Sequence, residues 1–216
     1  MKITEVSEQP SILNKYLAQI RDVNVQKDSM RFRRNIERIG EFLAQEVSKT
    51  FRYKSVKITT PLGIKEVMLP DEKIVIASVL RAGLPLHNGL LNIFDDAENA
   101  FISAYRKYTS ETEFEIAVEY LAMPSLKDKT LLLVDPMLAT GRSLKAVYDV
   151  MTRRERPVKT HIISVIAAPE GITYLQQNMP GDTNLWVADI DDYLDEHSYI
   201  VPGLGDAGDL AYGRKI

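Results

Sequence analysis

The chain has 216 residues, 45% of them hydrophobic, with 27 Lys and Arg against 30 Asp and Glu, a formal net charge of -3. That length can bury a sizeable core, and that balance gives no general attraction for nucleic acid or an anionic membrane. The absence of cysteine removes disulfides, thiolate metal sites and a cysteine nucleophile. Met1-Lys2-Ile3-Thr4-Glu5 lacks the apolar stretch of a signal peptide, and the apolar runs are too short to span a bilayer, so a cytoplasmic protein is expected.

From Ser29 to Phe51, apolar residues recur at helical spacing (Phe32, Ile36, Ile39, Leu43, Val47), with Asp28 and Ser29 as capping residues. Residues 55–69 read as a hairpin turning at Pro61-Leu62-Gly63. The β-rich run 73–80 stops at Arg81-Ala82-Gly83, and a short helix carrying Leu86, Leu90 and Ile93 follows. Residues 101–105 predict a strand and 114–120 an exposed hairpin arm. A strand over 130–134 leads through a loop of small residues into a helix from Ser143 to about Thr152. A buried strand over 161–168, a helix from Pro169 to Asn178 and a strand over 185–190 complete the alternation. Beyond Asp191 the chain reads as irregular, rich in Gly and Asp.

Strands alternating with helices imply an α/β fold: a mostly parallel twisted sheet covered by helices on both faces. One domain over 1–216 is expected, with a core of about 70–190, N-terminal helices and a hairpin in 1–69, and a C-terminal hood of about 191–216. Ligands in such folds bind beyond the carboxyl ends of strands. Segments 81–85, 135–142 and 191–211 all follow strands and are expected to converge on one site.

The most informative stretch is Leu131-Leu132-Leu133-Val134-Asp135-Pro136-Met137-Leu138-Ala139-Thr140-Gly141-Arg142-Ser143. An apolar strand ends at an acid, and small residues then lead into a helix. Loop amides and a helix N-terminus suit an anion, while Gly141 allows close backbone approach. Thr140 and Ser143 add hydroxyl donors, and Ser143 also suits a helix cap. Asp135, at the strand tip, is placed to accept hydrogen bonds from hydroxyls. A phosphate beside a polyol describes a phosphorylated sugar.

This string resembles the phosphoribosyl-pyrophosphate (PRPP) motif of the phosphoribosyltransferases. The common motif has two adjacent acids; Pro136 in place of the second resembles the uracil phosphoribosyltransferases. Val79-Leu80-Arg81-Ala82-Gly83-Leu84, Tyr105-Arg106-Lys107, Ala167 to Ile172, and Asp195-Glu196-His197-Ser198-Tyr199 through Asp209 match that family in order. The resemblance covers most of the chain from about residue 28.

The resemblance implies transfer from PRPP to uracil with Mg²⁺, giving UMP and pyrophosphate. It implies that Asp135 and the loop Pro136, Met137, Leu138, Ala139, Thr140, Gly141, Arg142 and Ser143 hold the ribose and 5-phosphate. It further implies that Arg81 and Arg106 reach PRPP, with Lys107 able to share the role of Arg106, and that Asp206 contacts PRPP or its metal. Ile200, Gly205 and Ala207 would offer backbone groups to uracil beside Asp206. A homo-oligomer, dimer or tetramer, and a GTP effector are family expectations as well. Asp209 reads as a turn residue, His161 as structural and Trp186 as packing. The three histidines have no metal-ligand spacing, and Arg153-Arg154-Glu155-Arg156 reads as a solvated helix end. Two departures stand out: Arg142 where the family usually has Gly, and Leu210 to Arg214 in place of a basic residue followed by Ile-Phe-Gly-Thr.

Overall fold

The computed structural model describes residues 1–108 and 114–215. The chain begins with strand β1 (Lys2–Glu5) and helix α1 (Ile12–Arg21). Helix α1 starts in a reciprocal cap: Ser11 Oγ accepts from the Leu13 amide, and Asn14 Oδ1 accepts from the Ser11 amide. Helix α2 (Ser29–Ser48) follows, capped by the Asp28 carboxylate on the Arg31 amide. Strands β2 (Tyr53–Thr60) and β3 (Gly63–Pro70) form a separate two-stranded hairpin. Its surface keeps Leu62, Ile64 and Met68 exposed.

Strand β4 (Ile74–Leu80) leads into α3 (Gly83–Leu91), and β5 (Glu98–Tyr108) pairs antiparallel with β6 (Phe114–Ala122). Strands β7 (Thr130–Val134) and β8 (Met137–Leu138) are followed by α4 (Arg142–Met151), β9 (Lys159–Ala167), α5 (Pro169–Asn178) and β10 (Asn184–Ile190). The main sheet runs β1-β10-β9-β7-β4-β5-β6, with β8 added beside β9. All its pairings are parallel except β5 with β6.

Every residue of β7 is buried, and its period of two divides it between two cores. Leu132 and Val134 pack with residues of α1, α2 and α3, whereas Leu131 and Leu133 pack with residues of α4 and α5. Both sheet faces are therefore covered, as continuous apolar strands require. Helices α2 and α3 cross closely where Gly40 meets Gly89. A methyl group on Gly89 would lie 2.1 Å from the Glu37 carbonyl oxygen.

Five features differ from expectation. Strand β1, too short and polar to announce itself, is recruited to the sheet edge by parallel pairing with β10. Helix α3 ends at Leu91, so Ile93 lies outside it and is exposed. Helix α4 starts one residue early, with Gly141 at the cap and no side-chain cap bond; Ser143 is inside the helix. Strand β8 turns part of the expected 135–142 loop into sheet. Beyond residue 190 the chain is less irregular than its composition suggests. Strands β11 (Tyr193–Leu194) and β12 (Ile200–Val201) pair antiparallel, and helix α6 (Ala207–Tyr212) closes the tail.

Candidate active site

The carboxyl ends of β4 and β7 and the tail beyond β10 enclose a cavity of about 750 Å³. Its wall includes Val79 to Ala82, Asp135, Met137, Ala139, Glu196 to Tyr199, Gly205 to Gly208 and Lys215. The three segments expected to converge do so. A smaller cavity of about 110 Å³, lined by Asp135, Met137 to Gly141, Ser143 and Leu144, lies in the crook of the β7–α4 connection.

The phosphate-type loop is held through its backbone. The Pro136 carbonyl accepts from the amides of Val165 and Ile166, and the Leu138 carbonyl accepts from Ala168. Gly141 turns with φ 74°, a left-handed conformation that suits glycine. The opening amides of α4 have no side-chain cap beyond a long 3.5 Å contact from the Arg142 amide to Thr140 Oγ1. They remain available beside the small cavity, as anion binding requires. Gly171, in the first turn of α5, fixes the loop from behind: a methyl group there would meet the Ala139 carbonyl oxygen at 2.1 Å. The sequence placed this residue in the family-matched segment Ala167 to Ile172 but assigned it no role, although a glycine inside a helical pattern commonly marks close packing.

Asp135 lies just past the end of β7, half-buried on the walls of both cavities. Burial at the strand ends pushes its carboxyl up to about 7, against a contact of 3.4 Å from the Met137 amide. Such a group sits between its neutral and ionised forms at physiological pH and responds strongly to nearby charge.

Arg81 follows β4 through a cis Leu80–Arg81 peptide. Its Nη2 donates to the Gly213 carbonyl at 3.1 Å and to Asp209 Oδ1 at 3.3 Å. Asp209 is therefore an ion-pair partner as well as a turn residue. Arg81 Nε is buried without a partner, an unsatisfied donor beside the main cavity. The side chains of Arg106 and Lys107 lie outside the described residues.

Asp206 caps α6 by accepting from the Asp209 amide at 2.9 Å, and it also faces the main cavity. Gly205, with φ 90° and open space at its Cα, and Ala207 line the same wall. Ile200 is buried in the core, pairs from β12 with Leu194 of β11 and is not among the residues on the cavity wall. Arg142 is exposed and lines a neighbouring cavity of about 320 Å³ with Thr140, Glu170, Tyr174, Leu194 and Ser198. Among the described residues no group of three or more His, Asp or Glu side chains is placed to hold a metal ion. His161 is structural, as expected: fully buried, it accepts from Trp186 Nε1 at 2.9 Å. Trp186 thus adds a hydrogen bond to its packing role.

A model of the uracil phosphoribosyltransferase family matches residues 6–214. A uracil phosphoribosyltransferase of Porphyromonas gingivalis is 50% identical over 216 residues, the full length of both chains. One from Thermococcus gammatolerans is 36% identical over 212 residues, covering 97% of this chain and 92% of its own. A solved structure of an Aquifex aeolicus protein superposes with a TM-score of 0.86 at 29% identity, covering 98% of each chain. A hypoxanthine phosphoribosyltransferase from Staphylococcus aureus shares the fold, with a TM-score of 0.53 at 14% identity over 91% of this chain and 94% of its own. The chain belongs to the uracil phosphoribosyltransferase family.

Proposed function

We propose that the main cavity joins uracil to the ribose 5-phosphate of PRPP, releasing UMP and pyrophosphate, and that residues 1–216 act as one catalytic unit. The observation that carries the assignment of sites is the convergence of the β7–α4 loop, Arg81 and the tail on one cavity. The small cavity at the α4 N-terminus takes the 5-phosphate through unpaired amides and the hydroxyls of Thr140 and Ser143. Asp135 accepts from the ribose hydroxyls. As the bond from C1 to pyrophosphate breaks, positive charge grows on the ribose, favouring the ionised form of a carboxyl otherwise held near 7. The unpartnered Nε of Arg81 suits a pyrophosphate oxygen. Arg106 on β5 is assigned to PRPP by family pattern, and Arg142, which replaces the usual Gly at the start of α4, by its place in the loop alone.

Uracil carries two carbonyl acceptors and two N–H donors. Backbone groups of Ile200, Gly205 and Ala207 can read that edge, and an edge matched to the C4 carbonyl rejects the amino group of cytosine. Asp135 and Asp206 face the same cavity and fit Mg²⁺, which is commonly held by one or two carboxylates plus substrate phosphates. A Mg²⁺ ion held there with PRPP would supply positive charge toward the departing pyrophosphate. The exposed apolar side chains of the β2–β3 hairpin support a homo-oligomer. No helix among the described residues is long and apolar enough to cross a membrane, which fits the cytoplasmic reading.

Incubation with PRPP, Mg²⁺ and each nucleobase in turn tests the reading. UMP and pyrophosphate should form with uracil and stop on chelation of the metal. No product with uracil would overturn it. The same assay with and without GTP reads the effector response.

A further inference from the structure

Arg21 stands at the end of α1, far from the cavity in sequence and absent from its wall. Its guanidinium nevertheless organises the underside of the tail. Nη2 pairs with Asp189 Oδ2 at 2.7 Å, and Nη1 pairs with Asp191 Oδ1 at 2.9 Å. Nη1 also donates to the Gly203 carbonyl at 2.8 Å. The side chain is only 19% exposed and that of Asp191 only 4%. Asp189 is fixed in turn by the Ser7 hydroxyl at 2.9 Å.

Gly203 leaves the tail little freedom. Its φ is 61°, and a methyl group on it would meet the Ile200 carbonyl oxygen at 2.1 Å. It lies between Ile200 and Gly205. The first of these is anchored in β12, and the second stands free on the cavity wall. A planar fork can hold two carboxylates and a carbonyl together, which a single ammonium cannot reproduce.

We propose that Arg21 is a positioning residue for the base pocket: by clamping the Gly203 carbonyl to the end of β10, it sets the backbone that reads uracil. This rests on the assignment of Ile200, Gly205 and Ala207 to uracil. Arg21 touches neither substrate, so its effect is confined to the uracil side of the reaction.

Steady-state kinetics of the full chain test this with three variants. Arg21→Lys keeps the charge and loses the fork. The triple variant Arg21→Met, Asp189→Asn, Asp191→Asn removes the clamp without leaving buried carboxylates unpaired. Gly205→Ala perturbs the base-reading wall directly. Loss of a charged hydrogen bond predicts a rise in uracil KM of roughly five- to tenfold in both Arg21 variants. PRPP KM should change less than about twofold, because the β7–α4 loop makes no contact with Arg21 and Asp206 is held separately as the cap of α6. A uracil KM unchanged in either folded Arg21 variant, or KM values for both substrates rising together, overturns the role of Arg21. If Gly205→Ala also leaves uracil KM unchanged, the base-pocket assignment itself fails. A rise in Gly205→Ala alone isolates the failure to Arg21.

Discussion

The phosphate-type loop and the tail both lie at the carboxyl edge of one sheet, yet they are held in opposite ways. The loop is fixed by main-chain contacts: β8 extends the sheet, the Pro136 and Leu138 carbonyls are used by residues 165–168, and Gly171 lets the backbones touch. The tail is fixed by long side chains reaching from elsewhere. Arg21 holds Gly203, Arg33 Nη1 donates to the Ala211 carbonyl at 2.6 Å, Glu170 accepts from the Leu194 amide, and Arg81 holds Asp209 and Gly213. The two walls of one cavity thus depend on different kinds of contact, so a substitution at Arg21 or Arg33 reaches the tail without touching the loop.

The largest expected effect tests whether the loop carries the chemistry. Asp135→Asn keeps the shape and removes the negative charge, so kcat/KM should fall roughly 10²- to 10³-fold while the fold survives. Unchanged turnover would move the reacting ribose away from the loop. Next in size is Gly171→Ala, which pushes a methyl group into the Ala139 carbonyl. It should raise PRPP KM roughly tenfold, leave uracil KM alone and cost about 1–3 kcal/mol in thermal unfolding. An equal change in uracil KM would show that loop and tail are not separately held.

Acid titration of stability sharpens the contrast further, because the loop's own strands carry two opposed titrations. The folded Asp135 carboxyl is raised to about 7 from 3.8, so its contribution is complete below pH 4 and lost as pH rises toward 7. Burial lowers His161 to about 4 from 6.5, so its contribution is complete above pH 6.5 and lost as pH falls toward 4. The two oppose each other in the wild-type chain without ligand. In Asp135→Asn the aspartate no longer offsets the histidine, and His87, also lowered by burial, adds to the same slope; denaturant melts should show a steeper loss of stability from pH 6.5 to 4 than in the wild-type chain. A flat profile in that variant would contradict the assignment.

The smallest effect concerns Arg142, which is exposed beside its own cavity rather than the small cavity in the crook of the β7–α4 connection. A cation at a helix start costs about 0.3–1 kcal/mol, partly offset by the poor helix propensity of glycine. Arg142→Gly should therefore change PRPP KM less than about threefold. Complete loss of activity would make Arg142 part of the catalytic machinery.

Much of the loop was legible in the sequence because its information is local. An apolar strand, one acid, small residues and an amphipathic helix are contiguous, and the observed β7 bounds match the expected 130–134. The tail was legible as a location and not as a structure. Its Gly and Asp content reads as disorder of pattern, while β11 and β12 are too short to show a period and α6 is a single short helix capped by Asp206. Asp209 illustrates the difference: a turn residue by composition, it gains a partner only when folding brings Arg81 across 128 positions. Arg21 carried no sequence signal, since its helix α1 was not itself delimited in the sequence. Ser143 was expected to cap α4, but the left-handed Gly141 took that position and left the amides uncapped.

Trp186 is the chain's single tryptophan, and its indole N–H is donated to the imidazole of His161 on the neighbouring strand β9. Its emission therefore reports one place, the packed face where β9 meets β10. In a folded protein at neutral pH it should be blue-shifted and poorly quenched by iodide, since the ring is only 4% exposed. Substrates arriving at the strand ends should barely alter it, so the same fluorophore can report global unfolding at neutral pH, while near pH 4 protonation of its partner His161 changes the folded-state emission as well.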